Sequence, residues 1–146
     1  MTGIFESHAH YEDEAFDEDR DVLLKSLPEN GIKYVVDVGS SIDTCHKIIE
    51  LIPKWDYMYG ALGIHPEEIR MVTDEDMEWL RKEAAANGKI VAIGEIGLDY
   101  YWDKEPTVQQ AQREIFCRQL ALAKEMSLPV IIHSRDAAED TMKIMQ

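Results

Sequence analysis

The sequence predicts an α/β domain built on a parallel sheet, and three observations predict it. Five short, almost continuously apolar runs alternate with segments of helical periodicity. Such runs suit strands covered on both faces, as parallel strands are. The connections between them are short and carry glycine, asparagine or proline, with no linker, low-complexity tract or internal repeat.

Taken in order, Ile4 and Phe5 read as a short buried strand, followed by Glu6, His8 and His10. Tyr11 to Asp19 is dense in Asp and Glu and reads as the solvated start of a helix, whose macrodipole favours acids there. Val22, Leu23, Leu24 and Leu27 give that helix its apolar face, and Asn30-Gly31 ends it. Residues 34–39 form the second strand. Ser40-Ser41 caps a helix with Ile42, Cys45, Ile48, Ile49 and Ile52 at helical spacing. Met58 to Leu62 is the third strand and leads into Gly63-Ile64-His65-Pro66. Thr73 opens a helix closed by Asn87-Gly88, with Met77, Leu80 and Ala84 on one face. Residues 90–94 form the fourth strand, followed by Glu95 to Tyr101. A long helix over 107–126 and a fifth strand over 129–132 come next, the strand running into His133-Ser134-Arg135. Asp136 or a neighbour opens the last helix.

The 146 residues have room for one core, and 45% hydrophobic content fits a folded chain rather than a disordered one. The N-terminus lacks the basic and long apolar regions of a signal peptide, and no run reaches transmembrane length. A cytoplasmic protein without membrane contact is therefore expected. Its two cysteines, Cys45 and Cys117, read as reduced, buried thiols, and the methionines as core filler. A net charge of −14 argues against loose nucleic-acid binding through a basic surface. Divalent cations would have to supply any local positive field for a polyanion.

The chemistry gathers at one edge. In an extended chain, a spacing of two puts His8 and His10 on one side, within reach of one ion that favours imidazole. Taken alone, such a pair reads first as two surface or turn histidines. However, His65, Glu95 and His133 also fall at or just past strand C-terminal ends, where parallel α/β sheets build their sites. That shared placement points to a metal site. His65 either contacts a substrate phosphate or holds the loop at Pro66. Arg135 offers a planar donor fork to phosphate or pairs with a local acid such as Asp136. Asp99 and Tyr100 either line the cleft or serve structure, Trp102 either stacks on a base or packs, and His46 reads as exposed on its helix.

Four ordered motifs carry a resemblance over the whole chain: Glu-Ser-His-Ala-His-Tyr (6–11), Gly-Ile-His-Pro (63–66), Gly-Glu-Ile-Gly-Leu-Asp-Tyr (94–100) and Pro-Val-Ile-Ile-His-Ser-Arg-Asp-Ala (129–137). Together they resemble the TatD-like deoxyribonucleases of the metal-dependent amidohydrolase superfamily. The resemblance implies a TIM-type (β/α)8 barrel that cleaves phosphodiester bonds in DNA with a metal-activated water. It implies two divalent ions (Mg, Mn or Zn), with His8 and His10 on one, Glu95 bridging both as the catalytic carboxylate, and His133 on the second. On the substrate side it points to His65, Arg135, Asp99 and Tyr100. A bridging carboxylate suits two-metal chemistry in any case, because it holds the cations about 4 Å apart.

Glu6 stands where the family usually has Asp, and Glu12 where it has Asp or Asn. A (β/α)8 barrel needs about 250 residues, so residues 1–146 read as a single partial domain, the first five βα units of the barrel. The resemblance places a further histidine ligand after strand six and a general-base aspartate after strand eight, neither of which is in this sequence. A C-terminal half or self-association would then complete the sheet. Two alternatives stand beside the nuclease: a hydrolase of the same fold acting on a small-molecule amide, ester or lactone, and a metal-binding fragment without turnover.

Overall fold

Each of the five strands pairs in parallel with its predecessor, giving a single sheet of order β1-β2-β3-β4-β5. A computed structural model describes residues 3–146. The strands are β1 (Ile4–Ala9), β2 (Ile32–Val38), β3 (Met58–Leu62), β4 (Ile90–Asp99) and β5 (Val130–Arg135). The helices between and after them are α1 (Arg20–Ser26), α2 (Ile42–Leu51), α3 (Asp74–Ala86), α4 (Pro106–Met126) and α5 (Ala138–Met145). Sequential order with all strands parallel sends every strand exit to one edge, so the residues that follow the strands meet there.

Most of the core lies between sheet and helices. Leu24, Ile48, Ile52, Leu80 and Phe116 pack onto Met58, Leu62, Ile93, Ile96 and Leu98. The opposite sheet face carries the smaller residues Val36, Val38, Ala61 and Ala92. An aromatic row crosses β1–β3, with ring centroids 6.4 Å apart for Phe5–Tyr34 and 6.1 Å for Tyr34–Tyr59. Reciprocal caps start α2 (Ser41 with Thr44) and α3 (Thr73 with Asp76).

Helix α4 does more than cover the sheet. Gln112 and Gln119, both buried and seven residues apart on one helical face, each grip a strand exit with both ends of the amide. Gln119 accepts from Ile64 N–H at 2.7 Å and donates to its carbonyl at 3.0 Å. Gln112 does the same to Asp99, at 2.9 and 3.0 Å. These side chains satisfy backbone groups that the ladder leaves unpaired where β3 and β4 end.

Several boundaries differ from the sequence reading. β4 continues five residues beyond Gly94, because Ile96 and Leu98 bury and pair with β5 as far as Asp99 opposite Arg135. β1 likewise continues through His8. The acidic run is not the start of α1. It forms a separate short turn at Glu14–Phe16, capped by Asp13, and α1 begins only at Arg20. That helix ends at Ser26, ahead of Pro28, which has no N–H to extend the ladder. Cys45 is buried as expected, but Cys117 is exposed, since it follows the buried Phe116 and turns about 100° away on the helix. Met58 and Met77 are core residues, whereas Met71, Met142 and Met145 face solvent.

Two glycines permit the close approaches at the strand exits. A Cβ on Gly63 would sit 2.6 Å from the Gly94 carbonyl carbon. Gly97 has φ +147° and faces the His133 carbonyl oxygen with no room for a Cβ. Gly97→Ala should therefore cost about 3 kcal/mol through strain and overpacking. Gly88→Ala, where a Cβ meets nothing within 4 Å, should stay within about 0.5 kcal/mol of the parent. Urea unfolding followed by circular dichroism checks both.

Candidate metal centre

Five side chains from four strands and the turns after them converge, with Glu95 and His133 inside β4 and β5 rather than past their ends. His8 is the penultimate residue of β1 and His10 follows the strand, their rings 5.1 Å apart. Glu95 stands on β4 and His133 on β5, while His65 opens the turn after β3 and lies 4.2 Å, ring to ring, from His133. Glu95 is common to both groupings. Its Oε2 is 3.4 Å from His8 Nε2, and its Oε1 is 3.2 Å from His133 Nδ1. Within each of the sets His8–His10–Glu95 and His65–Glu95–His133, donor atoms lie within 4.8 Å of one another.

A carboxylate stands behind each of two histidines. His133 Nε2 is 2.9 Å from Asp99 Oδ2, so a hydrogen on Nε2 directs the Nδ1 lone pair toward Glu95. Glu12, buried, approaches His10 Nδ1 at 3.5 Å and in the same way leaves Nε2 for a ligand. This Glu12 contact raises the His10 pKa above its ordinary value, against the effect of burial. Burial would raise Asp99, but the His133 hydrogen bond, the Tyr101 and Trp102 amides and Arg135 together hold it below the usual carboxylate range.

His65 differs. Burial, with His133 beside it, lowers its pKa to about 4, so the ring is neutral at ordinary pH. Its Nδ1 accepts from Glu67 N–H at 3.3 Å. The hydrogen then resides on Nε2, and His65 presents a donor rather than a lone pair. That favours contact with an anion over metal ligation, although its distances also suit a ligand set.

The remaining sequence candidates are placed as follows. Asp99 is buried with both oxygens engaged inside the chain, by His133, Arg135 and the Tyr101 and Trp102 amides. Arg135 pairs through Nε with Asp99 at 3.3 Å, not with Asp136. Tyr100 points to the helices: its hydroxyl donates to Asp140 at 2.8 Å and accepts from Arg113 at 2.8 Å. Glu6 turns back on its own strand and accepts from His8 N–H at 3.1 Å. His46 is exposed and lies against Trp79, 4.0 Å ring to ring.

Two contributors escaped the sequence reading. Arg20 straps the loop that follows His10, donating to the carbonyls of Tyr11 at 2.6 Å, Glu12 at 3.4 Å and Asp13 at 2.7 Å, and to Asp17 at 2.7 Å. Asp37, fully buried on β2, accepts from Tyr11 N–H at 2.7 Å, and among the described residues its other oxygen has no hydrogen-bond partner, like Glu12 Oε2. The one available signal was a lone acid within the apolar run Val35 to Val38.

The donor set suits divalent cations. Imidazoles and carboxylates gather at one edge, and two of the histidines are backed by acids. The family model for TatD-related DNases matches residues 5–146. The chain belongs to this family. It is 42% identical over 143 residues to the Bacillus subtilis protein named uncharacterized metal-dependent hydrolase YabD, covering 98% of this chain and 55% of that one. It is 32% identical over 155 residues to human deoxyribonuclease TATDN3, covering 99% and 56%. The crystal structure of the Escherichia coli TatD homologue YJJV superposes with a TM-score of 0.86 at 28% identity, over 96% of this chain and 54% of that one. The TatD chain described here thus spans about half the length of the curated relatives it matches. Among its described residues no helix is long and apolar enough to cross a membrane.

Burial, with Glu12 adding like charge, pushes the Asp37 carboxyl up to about 7 from 3.8. The unfolded group ionises near 3.8 and the folded one near 7, so its contribution to stability is intact below the first pH and lost as pH rises through the second. Asp37→Asn removes that loss. In EDTA, its stability relative to the parent should rise between pH 4 and pH 8 by on the order of 3 kcal/mol in urea unfolding.

Proposed function

We propose that this chain supplies the N-terminal metal-binding part of a phosphodiesterase that acts on DNA. The observation that carries the reading is Glu95, whose two oxygens face histidines from opposite sides of the site, His8 at 3.4 Å and His133 at 3.2 Å. A carboxylate so placed can bridge two divalent cations. His8 and His10 would hold one, and His133 the other. When bound, such ions supply a water of lowered pKa and a Lewis acid for a phosphoryl oxygen.

The other residues act on orientation and charge. Asp99 and Glu12 fix which nitrogens of His133 and His10 face the ions. Neutral His65 offers its Nε2 hydrogen to a phosphate oxygen. Arg135 is anchored at Nε by Asp99, and among the described residues its terminal nitrogens have no hydrogen-bond partner, which leaves them for the same anion. The name of the human relative, a deoxyribonuclease, supports DNA as substrate. A charge of −14 favours instead a small neutral ester, lactone or amide. Oligonucleotides with Mn²⁺ or Mg²⁺, set against such compounds, discriminate the two.

Glu95→Ala should abolish high-affinity uptake of Mn²⁺ in calorimetry and any hydrolysis of a DNA oligonucleotide. Activity equal to the parent's would overturn the assignment. Asp99→Asn should keep the fold and weaken Mn²⁺ binding roughly 10- to 100-fold, through lost orientation of His133 and lost negative charge.

A further inference from the structure

Beyond the metal centre, Tyr101 and Trp102 leave the end of β4 as an exposed aromatic pair, 49% and 63% accessible. Their centroids are 4.6 Å apart with the rings nearly perpendicular, 86°. Trp102 therefore touches its neighbour along an edge, and among the described residues no other ring packs against it. Two cations flank Tyr101: the Arg135 guanidinium carbon lies 5.5 Å from the ring centroid and Lys104 Nζ lies 5.6 Å from it.

The pair is fixed to the site rather than loosely attached. Asp99 Oδ1 accepts the backbone N–H of Tyr101 at 2.9 Å and of Trp102 at 3.4 Å, while Oδ2 of the same carboxylate holds His133. Lys104 is tethered by donating to the Tyr100 carbonyl at 2.6 Å. Nearby acids are largely engaged: Asp99 is shared between His133 and Arg135, and Asp103 pairs with Arg70 at 2.7 Å. Among the described residues, Asp136 is the one acid that pairs with Lys104, at 3.9 Å. A chain of net charge −14 thus places two cations and two uncovered aromatic rings beside its candidate ligands.

We propose that Trp102, Tyr101, Arg135 and Lys104 form a nucleotide subsite next to the metal centre, in which the Trp102 ring stacks on a base and the two cations receive a neighbouring phosphate. Tyr101, with its ring against both cations, lies between them and the Trp102 ring. Stacking accepts any base, because every base has a π-face, so the subsite selects nucleotides over base-free phosphates without reading sequence. The inference rests on the nuclease reading, and it narrows the substrate to unpaired nucleotides, since a paired and stacked base cannot offer its face.

The test is binding in EDTA, where no cation contributes. The chain has three tryptophans, so its indole N–H resonances are few, and the one lost in Trp102→Ala identifies Trp102. The thymidine dinucleotide pdTpdT should shift that resonance saturably, and 2-deoxyribose 5-phosphate should not. Trp102→Ala should weaken dinucleotide binding roughly 5- to 150-fold, Trp102→Phe should recover most of it, and neither should alter affinity for the sugar phosphate. Equal shifts by the two ligands, no shift, or unchanged affinity in Trp102→Ala would overturn the subsite. If Trp102 is silent while Glu95→Ala abolishes hydrolysis, the subsite falls and the metal centre stands. If Trp102 responds while the parent fails to take up Mn²⁺, the subsite stands and the metal centre falls.

Discussion

His133 lies between two carboxylates of one strand, with Nδ1 3.2 Å from Glu95 and Nε2 2.9 Å from Asp99. The order of the sheet edge depends on that placement. Glu95 and Asp99 are four residues apart on β4 and point to the same side, and β5 pairs with β4 so that His133 falls opposite Gly97, midway between them. Had position 97 carried a side chain, the His133 backbone could not come so close. A glycine, a parallel register and two acids therefore fix one imidazole in position. Gln112 secures the same stretch from behind by gripping the Asp99 backbone.

Much of this was legible in the sequence, for a physical reason. Strands of a parallel sheet read as apolar runs, so His8, Glu95 and His133 stood out beside those runs, although Ile4 and Phe5 of β1 in fact face solvent. A parallel topology then sends such positions to one edge. The four ordered motifs named the family. What the sequence could not show was direction around a strand or helix. Tyr100 and Asp99 are adjacent, but Asp99 is the last residue of β4 and faces the site, whereas Tyr100 opens the turn and points to the helices. Phe116 and Cys117 are likewise adjacent and differ in burial because a helix turns between them. Gln112 and Gln119 read as ordinary polar helix residues, because only the tertiary fold reveals which backbone amides lack partners. Asp37 was passed over within an apolar strand, although a buried acid there is costly unless something nearby compensates it.

The electrostatics of the molecule divide into two scales. The surface as a whole is strongly acidic, which slows the approach of polyanions and favours cations. Locally, Glu12, Glu95 and Asp99 concentrate negative charge among the histidines, while Arg135 and Lys104 lie at the aromatic rim. This arrangement draws a divalent ion inward and leaves positive charge where an anionic ligand would rest. The site is asymmetric by construction, with acids deep and bases shallow.

The Arg20 strap bears on how the site would be filled. A single guanidinium closes the loop from Tyr11 to Asp17 by bonding three successive carbonyls and one carboxylate. His10 is thereby presented by a segment whose conformational freedom was spent during folding, not at ligand capture. A cation bound there, as proposed, would meet a donor already held in position by the strap.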